Sequence, residues 1–229
     1  MMVSDEERRW IVVGIAMNKV LSPVLLEPVK KGMEATVAKL DTHCGSLTPP
    51  CTLKTLSYSQ VKNHSMLKKL SFQNINNNHV HLDKKAFNYN VNSAVDLAKI
   101  FLPRYLAHFW DFDYSLDMSA SLRLLGCTQV VPAPFTNAIK NSADDVRDNV
   151  RNKWGHFNRT DWTEAFFIDC FSKMETLVRL LGLAAADEKN TLDDLTDWKT
   201  KGILQIFNWG EVDWLWGKYK ARFKLQTLY

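Results

Sequence analysis

The chain has 229 residues, of which 46% are apolar and 24% charged, and its formal net charge is +4. This length and apolar fraction suit one globular domain with a sizeable core and exclude a globally disordered chain. The modest positive charge is compatible with phosphate contacts but lacks the dense basic face of a dedicated DNA-binding protein. We therefore expect a single soluble domain over residues 1–229, with no DNA partner.

The N-terminal part of the chain predicts one long, kinked helix. Apolar residues recur at helical spacing from Glu6 to about Leu40, and Pro23 and Pro28 must kink or restart the helix. Acidic residues precede the apolar run 10–17, whereas a signal peptide begins with basic residues. No apolar stretch approaches the ~20 residues of a membrane span. We expect a cytoplasmic protein that contacts no membrane.

The rest of the chain divides into three parts. Residues 41–92 indicate a loop-rich insertion, because prolines and a run of asparagines interrupt any helical period. Residues 95–205 carry the clearest helical patterns and are predicted to be the core helices. Residues 206–229 form a tail rich in Trp and Lys. The tail is most simply an amphipathic helix on the bundle. Single-stranded RNA binding is a second interpretation, and a membrane-surface helix is a third that its acidic residues disfavour.

The clearest pattern is a helical hairpin, and no segment shows the sustained alternation of a strand. In its first helix, apolar residues step by three or four positions and predict one buried stripe, at Ile139, Ala143, Val146, Val150 and Trp154. A short loop over 155–160 follows, and Asp161-Trp162-Thr163-Glu164 is a capping-box pattern that opens the second helix. The fold class predicted from these patterns is all-α, a helical bundle.

The cysteines indicate thiols rather than a metal site. Cys44, Cys51, Cys127 and Cys170 include no Cys-x-x-Cys pair. A bridge between Cys44 and Cys51 is one alternative, but buried or half-buried thiols are favoured, as in a reducing compartment. We expect no metal and no cofactor.

The end of the first hairpin helix carries the residues best suited to chemistry. Arg151 is a permanent cation, and His156, five positions later, titrates near neutrality. Gly155 lets the chain leave the helix, so we expect His156 to turn back toward Arg151. Asn152 and Asp148 are candidate supporting residues, with Asp148 either forming a surface ion pair or holding Arg151. The alternative is that this segment is a solvated helix end, in which cations favour the helix dipole.

Arginine and histidine together suit the attack of a ribose 2′-hydroxyl on its neighbouring phosphate. Histidine can move the proton, and arginine can stabilise the negatively charged phosphorane, without a metal. Two such pairs in a symmetric dimer would supply both a base and an acid. Arg147 and Lys153 are candidate RNA contacts on the same helix.

At these residues the chain resembles the HEPN family. Arg151-Asn152-x-x-x-His156, on a helix of a helical hairpin, is similar to the Arg–polar–x–x–x–His motif of HEPN domains. The wider stretch 145–183 resembles more particularly the HEPN domain of the DAZ-interacting RING-type ubiquitin ligase and its relatives in animal immune-type receptors. This strong resemblance covers about a fifth of the chain.

The resemblance implies a HEPN-like all-α bundle that forms a homodimer through the face bearing the motif. It implies a metal-independent endoribonuclease that leaves 2′,3′-cyclic phosphate ends, with Arg151 and His156 as catalytic residues and Asn152 orienting the phosphate or the histidine. Other HEPN domains are inactive, so the alternative is a module that binds RNA or another protein in an immune or ubiquitin pathway.

Overall fold

The computed structural model describes residues 4–47, 49–127 and 135–208, and these residues form helices and turns with no strand. The all-α fold class predicted from the sequence is therefore confirmed for this part of the chain. The described residues contain nine α-helices in chain order: α1 Asp5–Ala16, α2 Ser22–Gly45, α3 Tyr58–Asn63, α4 Ala94–Phe101, α5 Met118–Leu125, α6 Asn137–Asp145, α7 Asn152–Gly155, α8 Glu164–Leu180 and α9 Ala185–Asn208.

The predicted kinked N-terminal helix is one helical run, in which a π-helical turn, Met17–Leu21, joins α1 to α2. The amide N–H of Ser22 donates to the carbonyl of Met17, five residues back. Pro23 follows at once in the first turn of α2, where the N–H that it lacks is least needed. Pro28 lies inside α2 without ending it. Ser4 begins the run as the N-cap, in a capping box with Glu7.

This helical run is long and apolar enough, by length and composition, to cross a membrane. The finding differs from our expectation, which considered short apolar stretches and not the continuous helix Asp5–Gly45. In the fold, 56% of its most apolar window is buried. Burial of this kind is also found in the core helices of globular domains.

The sequence predicts a loop-rich insertion over residues 41–92, but residues 41–45 still belong to α2. Residues 49–92 are irregular, as predicted, with α3 and several short 3-10 turns. Their apolar side chains nevertheless belong to the same hydrophobic cluster as the long helices. Asn78 is buried among them, donates through Nδ2 to the carbonyls of Phe72 and Asn88, and accepts from the amide of Asn88 at 2.8 Å. This segment is therefore part of the core and not an appendage to it.

The helices pack in two groups that share this core. Helix α1 contacts α8 and α9, whereas α2 contacts α4 and α5, and α6 joins the groups by contacting both α5 and α8. An ion pair crosses the predicted hairpin, since Lys173 Nζ lies 2.9 Å from Asp145 Oδ2. Burial raises the pKa of Asp145, but hydrogen bonds from Lys173 and Asn149 outweigh it and hold that pKa below its usual value.

The last helix is longer at its N-terminal end than the sequence predicts. Helix α9 begins at Ala185, earlier than the pattern alone suggested, and its described side chains end at Leu204. The Trp- and Lys-rich tail lies outside the described residues from residue 209 onward, so its three interpretations stay predictions. Cys44, Cys127 and Cys170 are buried and Cys51 is half-buried, and the four form no disulfide with one another.

Candidate active site

The Arg151–His156 motif lies at the end of one helical run, the motif helix, which comprises α6, the π-helical segment Val146–Arg151 and α7. Its predicted apolar stripe is confirmed. Ala143, Val146 and Val150 are fully buried, and Ile139 and Trp154 are partly buried against the core. The polar residues of the motif are left on the surface side of the helix.

The π-helical segment directly precedes α7. The amide N–H of Asn152 donates to the carbonyl of Arg147, five residues back, so this turn holds one residue more than an α-helical turn. Side chains here therefore do not meet as ideal α-helical spacing predicts. π-Helical turns inside α-helices occur frequently at functional sites.

Asp148 forms its ion pair with Arg147. Arg147 Nε and Nη2 donate to the two carboxylate oxygens of Asp148 at 3.0 and 3.1 Å, and Arg147 Nη1 lies 2.7 Å from Asp144 Oδ1. The hydrogen bonds that Arg147 donates to Asp148 raise the pKa of Arg147, against the opposing effect of burial. Two carboxylates thus neutralise this guanidinium, which argues against our expectation that Arg147 contacts RNA. It also argues against a direct contact between Asp148 and Arg151.

Asn152 connects Asp148 to Arg151. Its Nδ2 donates to Asp148 Oδ1, and its Oδ1 accepts from Arg151 Nη1, each at 3.3 Å. The carboxylate of Asp148 therefore fixes which end of the amide faces Arg151. Asp148 is thus linked to Arg151 through the side chain of Asn152.

Arg151 and His156 lie on either side of Gly155. A Cβ built on Gly155 would stand 3.9 Å from Arg151 Nη1, so the guanidinium extends along the helix toward the residue before the histidine. Among the described residues, no carboxylate oxygen lies within 4.0 Å of this guanidinium. Arg151 is thus a half-buried cation held by a neutral amide.

His156, and not Gly155, ends the helix. Gly155 is still helical, and His156 leaves the helix with φ −118° and ψ 68° while its amide donates to the carbonyl of Asn152 at 3.1 Å. The imidazole is exposed, and no hydrogen bond within the described residues joins it to Arg151. We expected His156 to turn back toward Arg151, but no hydrogen bond joins the two side chains.

Two tryptophans fasten the motif helix to α1. Trp10 Nε1 donates to the carbonyl of Trp154 at 2.8 Å, and Trp154 Nε1 donates to the carbonyl of Trp10 at 3.1 Å. The indoles are stacked with their centroids 5.8 Å apart, and Phe157 packs on Trp10 at 5.1 Å. Gly14 provides the space for Trp154, since a Cβ there would stand 2.6 Å from the indole Cε2. This arrangement fixes the helix end between Arg151 and His156.

The loop after the motif is held by ion pairs. Lys153 Nζ lies 3.6 Å from Asp161, and Arg159 Nε lies 3.5 Å from Glu6 of α1. Lys153 is more than half exposed and its pair is long, so it remains available to a phosphate. Thr163, and not Asp161 as the capping-box pattern predicted, caps α8 by accepting from the amide of Phe166, and Asp161 belongs to the 3-10 turn before it.

No group of three or more His, Cys, Asp or Glu side chains suited to a metal ion occurs among the described residues. Burial raises the pKa of Cys170 to about 12, with Asp169 contributing. This thiol lies on the buried face of α8 and is a core residue rather than a nucleophile.

Comparisons of the chain with protein-family models, with curated proteins and with solved structures found no match. The assignment of this site therefore depends on the geometry of its own residues.

Sequence reasoning missed the α1 side of the site. Trp10 and Glu6 hold the motif helix and its loop, yet they precede these partners by 144 and 153 residues. Nothing in the local pattern links them. The one available signal was Gly14 in the middle of a helix, where glycine is disfavoured unless another group must approach closely.

Proposed function

We propose that the chain is a metal-independent endoribonuclease of the HEPN type, which cleaves single-stranded RNA as a homodimer and leaves 2′,3′-cyclic phosphate ends. The observation that carries this proposal is the position of Arg151, a cation without a carboxylate partner within 4.0 Å among the described residues, beside the exposed His156. On the same helix, Arg147 is neutralised by two carboxylates, so the uncompensated charge is at the motif.

The reaction requires three groups around one phosphate: a base, an acid and a cation that stabilises the phosphorane. The 2′-oxygen loses a proton and bonds to phosphorus, and the bond from phosphorus to the 5′-oxygen of the next nucleotide breaks as that oxygen gains a proton. The Arg151 guanidinium is suited to the negative charge of the phosphorane. His156 is suited to take the proton of the 2′-hydroxyl.

A dimer would complete the site. The attacking and leaving oxygens lie on opposite sides of phosphorus, so one imidazole cannot serve both at the same moment. His156 is exposed at a helix end, where a second copy related by twofold symmetry can place its own histidine across a shared groove. We expect the acid and the base to come from different protomers.

The test is incubation of the full chain with mixed-sequence single-stranded RNA in EDTA. We expect cyclic-phosphate ends from the wild type and a loss of at least about a hundredfold in rate for Arg151→Ala and for His156→Ala, the scale typical of such groups. Arg123→Ala and His81→Ala alter exposed residues outside the motif and serve as controls. No cleavage by a wild type that forms dimers would contradict the proposal.

Mixing tests whether the groove is shared. His156→Ala protein in excess, after subunit exchange with wild type, should suppress the wild-type activity, because a hybrid dimer holds only one of the two histidines that the reaction needs. Activity that stays in proportion to the amount of wild type, with exchange shown by differently tagged chains, would exclude a shared groove.

The second candidate is a module that binds RNA or a protein without cleavage, in the cytoplasm and in an immune or ubiquitin pathway. The observation that favours it is a set of strongly exposed aromatic side chains away from the motif, Tyr105, Trp110 and Tyr114. Such side chains are common in interaction surfaces. RNA binding without turnover, unchanged in Arg151→Ala, would support this function over the first.

A further inference from the structure

A cavity of about 310 Å³ lies between the irregular segment 73–79, helix α4 and the chain that follows α4. None of its lining residues belongs to the motif helix or its loop. Its volume is near the lower limit for small-molecule sites, which span about 300–1,000 Å³. We name it the Trp110 cavity, and the lining residues that carry the argument are Asn74, Asn76, Lys99, Arg104, His108 and Trp110.

Two cations and one carboxylate line the cavity, Lys99, Arg104 and Asp96, so its formal charge is positive by one. Within the described residues, no carboxylate oxygen lies within 4.0 Å of either cationic group. The Asp96 Oδ2 accepts from the amide of Asn92 and forms no ion pair with Lys99 or Arg104. The Lys99 ammonium lies 5.5 Å from the centroid of the Phe109 ring, which holds it at the wall. We therefore expect an anionic group to bind at the wall formed by Lys99 and Arg104.

Trp110 provides an aromatic surface at the rim, with 75% of the residue exposed. Its backbone is fixed, because its amide donates to Ser115 Oγ and the amide of Ser115 donates to Asp113 Oδ1 at 2.7 Å. A large indole left in solvent on a fixed backbone is suited to stacking against a planar ring.

The opposite wall presents fixed amide groups. Asn74 Nδ2 donates to the carbonyls of Lys99 and Leu102, both at 2.8 Å, which leaves its Oδ1 as an acceptor. That oxygen is buried and accepts no hydrogen bond from the described residues. Asn76 and Asn77, next in the wall, have left-handed φ values of 51° and 57°, which are uncommon outside glycine. Their backbone is held by hydrogen bonds from Asn76 Nδ2 to the carbonyls of Asn88 and Asn90.

We propose that the Trp110 cavity binds a nucleoside monophosphate group, with the base stacked on Trp110 and the phosphate at Lys99 and Arg104. Asn74 contributes to the wall through its two hydrogen bonds to the carbonyls of Lys99 and Leu102, whereas its Oδ1 is closed off from the cavity and is not part of the expected contacts. The same chemistry is offered by a free nucleotide and by one unpaired nucleotide of an RNA strand. This inference does not depend on cleavage at Arg151 and His156.

The experiment uses the full chain carrying Arg151→Ala and His156→Ala, so that RNA stays intact whatever the motif does. Calorimetric titration compares AMP, CMP, inorganic phosphate and a six-nucleotide oligoadenylate. In this background, Trp110→Ala and Arg104→Glu should each weaken binding at least tenfold. Leu82→Ala and Arg123→Glu are the controls, because both residues are exposed, neither lines the cavity, and neither should change affinity.

The outcomes separate the two sources of the ligand. Saturable binding of AMP or CMP that the cavity variants weaken identifies a nucleotide pocket, and binding of the oligonucleotide alone, with the same sensitivity, identifies an RNA contact. Three results would overturn the proposal. They are no binding of the mononucleotides or of the oligonucleotide, equal affinity for inorganic phosphate and for a mononucleotide, and nucleotide binding that the cavity variants leave unchanged. Thermal unfolding of each variant verifies that its fold is intact.

Discussion

At the scale of single residues, Asn152 sets the charge beside Arg151. Because its amide oxygen faces the guanidinium, Asn152→Asp would place a carboxylate where a neutral acceptor now lies. It would also face the carboxylate of Asp148. We expect cleavage to fall at least tenfold, since the new ion pair competes with the phosphate for Arg151.

The comparison with Asn152→Ala makes this prediction specific. Alanine removes the orienting amide without adding charge, so its rate should lie between those of the wild type and of Asn152→Asp, and RNA binding should weaken only for the aspartate. Single-turnover cleavage and filter binding measure the two effects. Equal losses for both variants would show that the charge beside Arg151 is unimportant.

A second prediction concerns the pair His43 and His64, whose Nε2 atoms are 2.8 Å apart. His64 Nδ1 accepts from the amides of Met66 and Leu67, so Nε2 carries the proton and donates to His43. Burial, with His43 contributing, lowers the pKa of His64. The stability gained is present above the unfolded pKa of about 6.5 and is lost as the pH falls from there toward the folded value.

Urea unfolding between pH 7.5 and 5 measures this dependence. The free energy of unfolding should fall more steeply for the wild type than for His64→Gln, which cannot take up a proton. His81→Ala, at an exposed histidine, should follow the wild type. Parallel curves for the wild type and His64→Gln would contradict the assignment.

At the scale of elements, the sequence predicts the buried face of a helix better than the turns and contacts that join one helical segment to another. The buried positions of the motif helix follow from their spacing, because every third or fourth residue shares one face of a helix. The π-helical turn over Val146–Arg151 and the contact of Asp148 with Arg147 rather than Arg151 do not follow, since both depend on local geometry that departs from that period. The hydrogen bonds between Trp10 and Trp154 join distant segments and leave no local pattern.

At this scale, we make a prediction about Gly14, where α1 and the motif helix approach each other closely. Alanine is favoured over glycine in a helix by about 1 kcal/mol, yet a Cβ at Gly14 would overlap the Trp154 indole. We expect Gly14→Ala to destabilise the protein by about 1–3 kcal/mol, the usual cost of overpacking, and to reduce cleavage by displacing the motif helix. Thermal unfolding and single-turnover cleavage measure the two effects.

Gly45→Ala is the matched control, because no atom lies within 4 Å of a Cβ built there and the residue ends α2. It should be neutral or slightly stabilising. If Gly14→Ala behaved in the same way, the close packing of Trp154 on α1 would not hold the motif helix in place.

At the scale of the whole molecule, the irregular segment 49–92 shares one core with the long helices. Leu67, in a 3-10 turn of that segment, is 1% exposed. Leu67→Ala should therefore lower the free energy of unfolding by about 2–5 kcal/mol, and helix content and tryptophan fluorescence should report one common transition. Lys68→Ala, at the exposed neighbour, should change little. Two separate transitions would make the segment an independent unit.

The pairing of Trp10 with Trp154 also has a consequence in time. During synthesis at about 5–20 residues per second, Trp10 leaves the ribosome about 7 to 29 seconds before Trp154, which follows 144 residues later. During that interval, the face of α1 that Trp154 will cover stays uncovered. A nascent chain therefore holds the end of the motif helix in place only after Trp154 has followed, and a chain interrupted earlier would leave this face of α1 exposed.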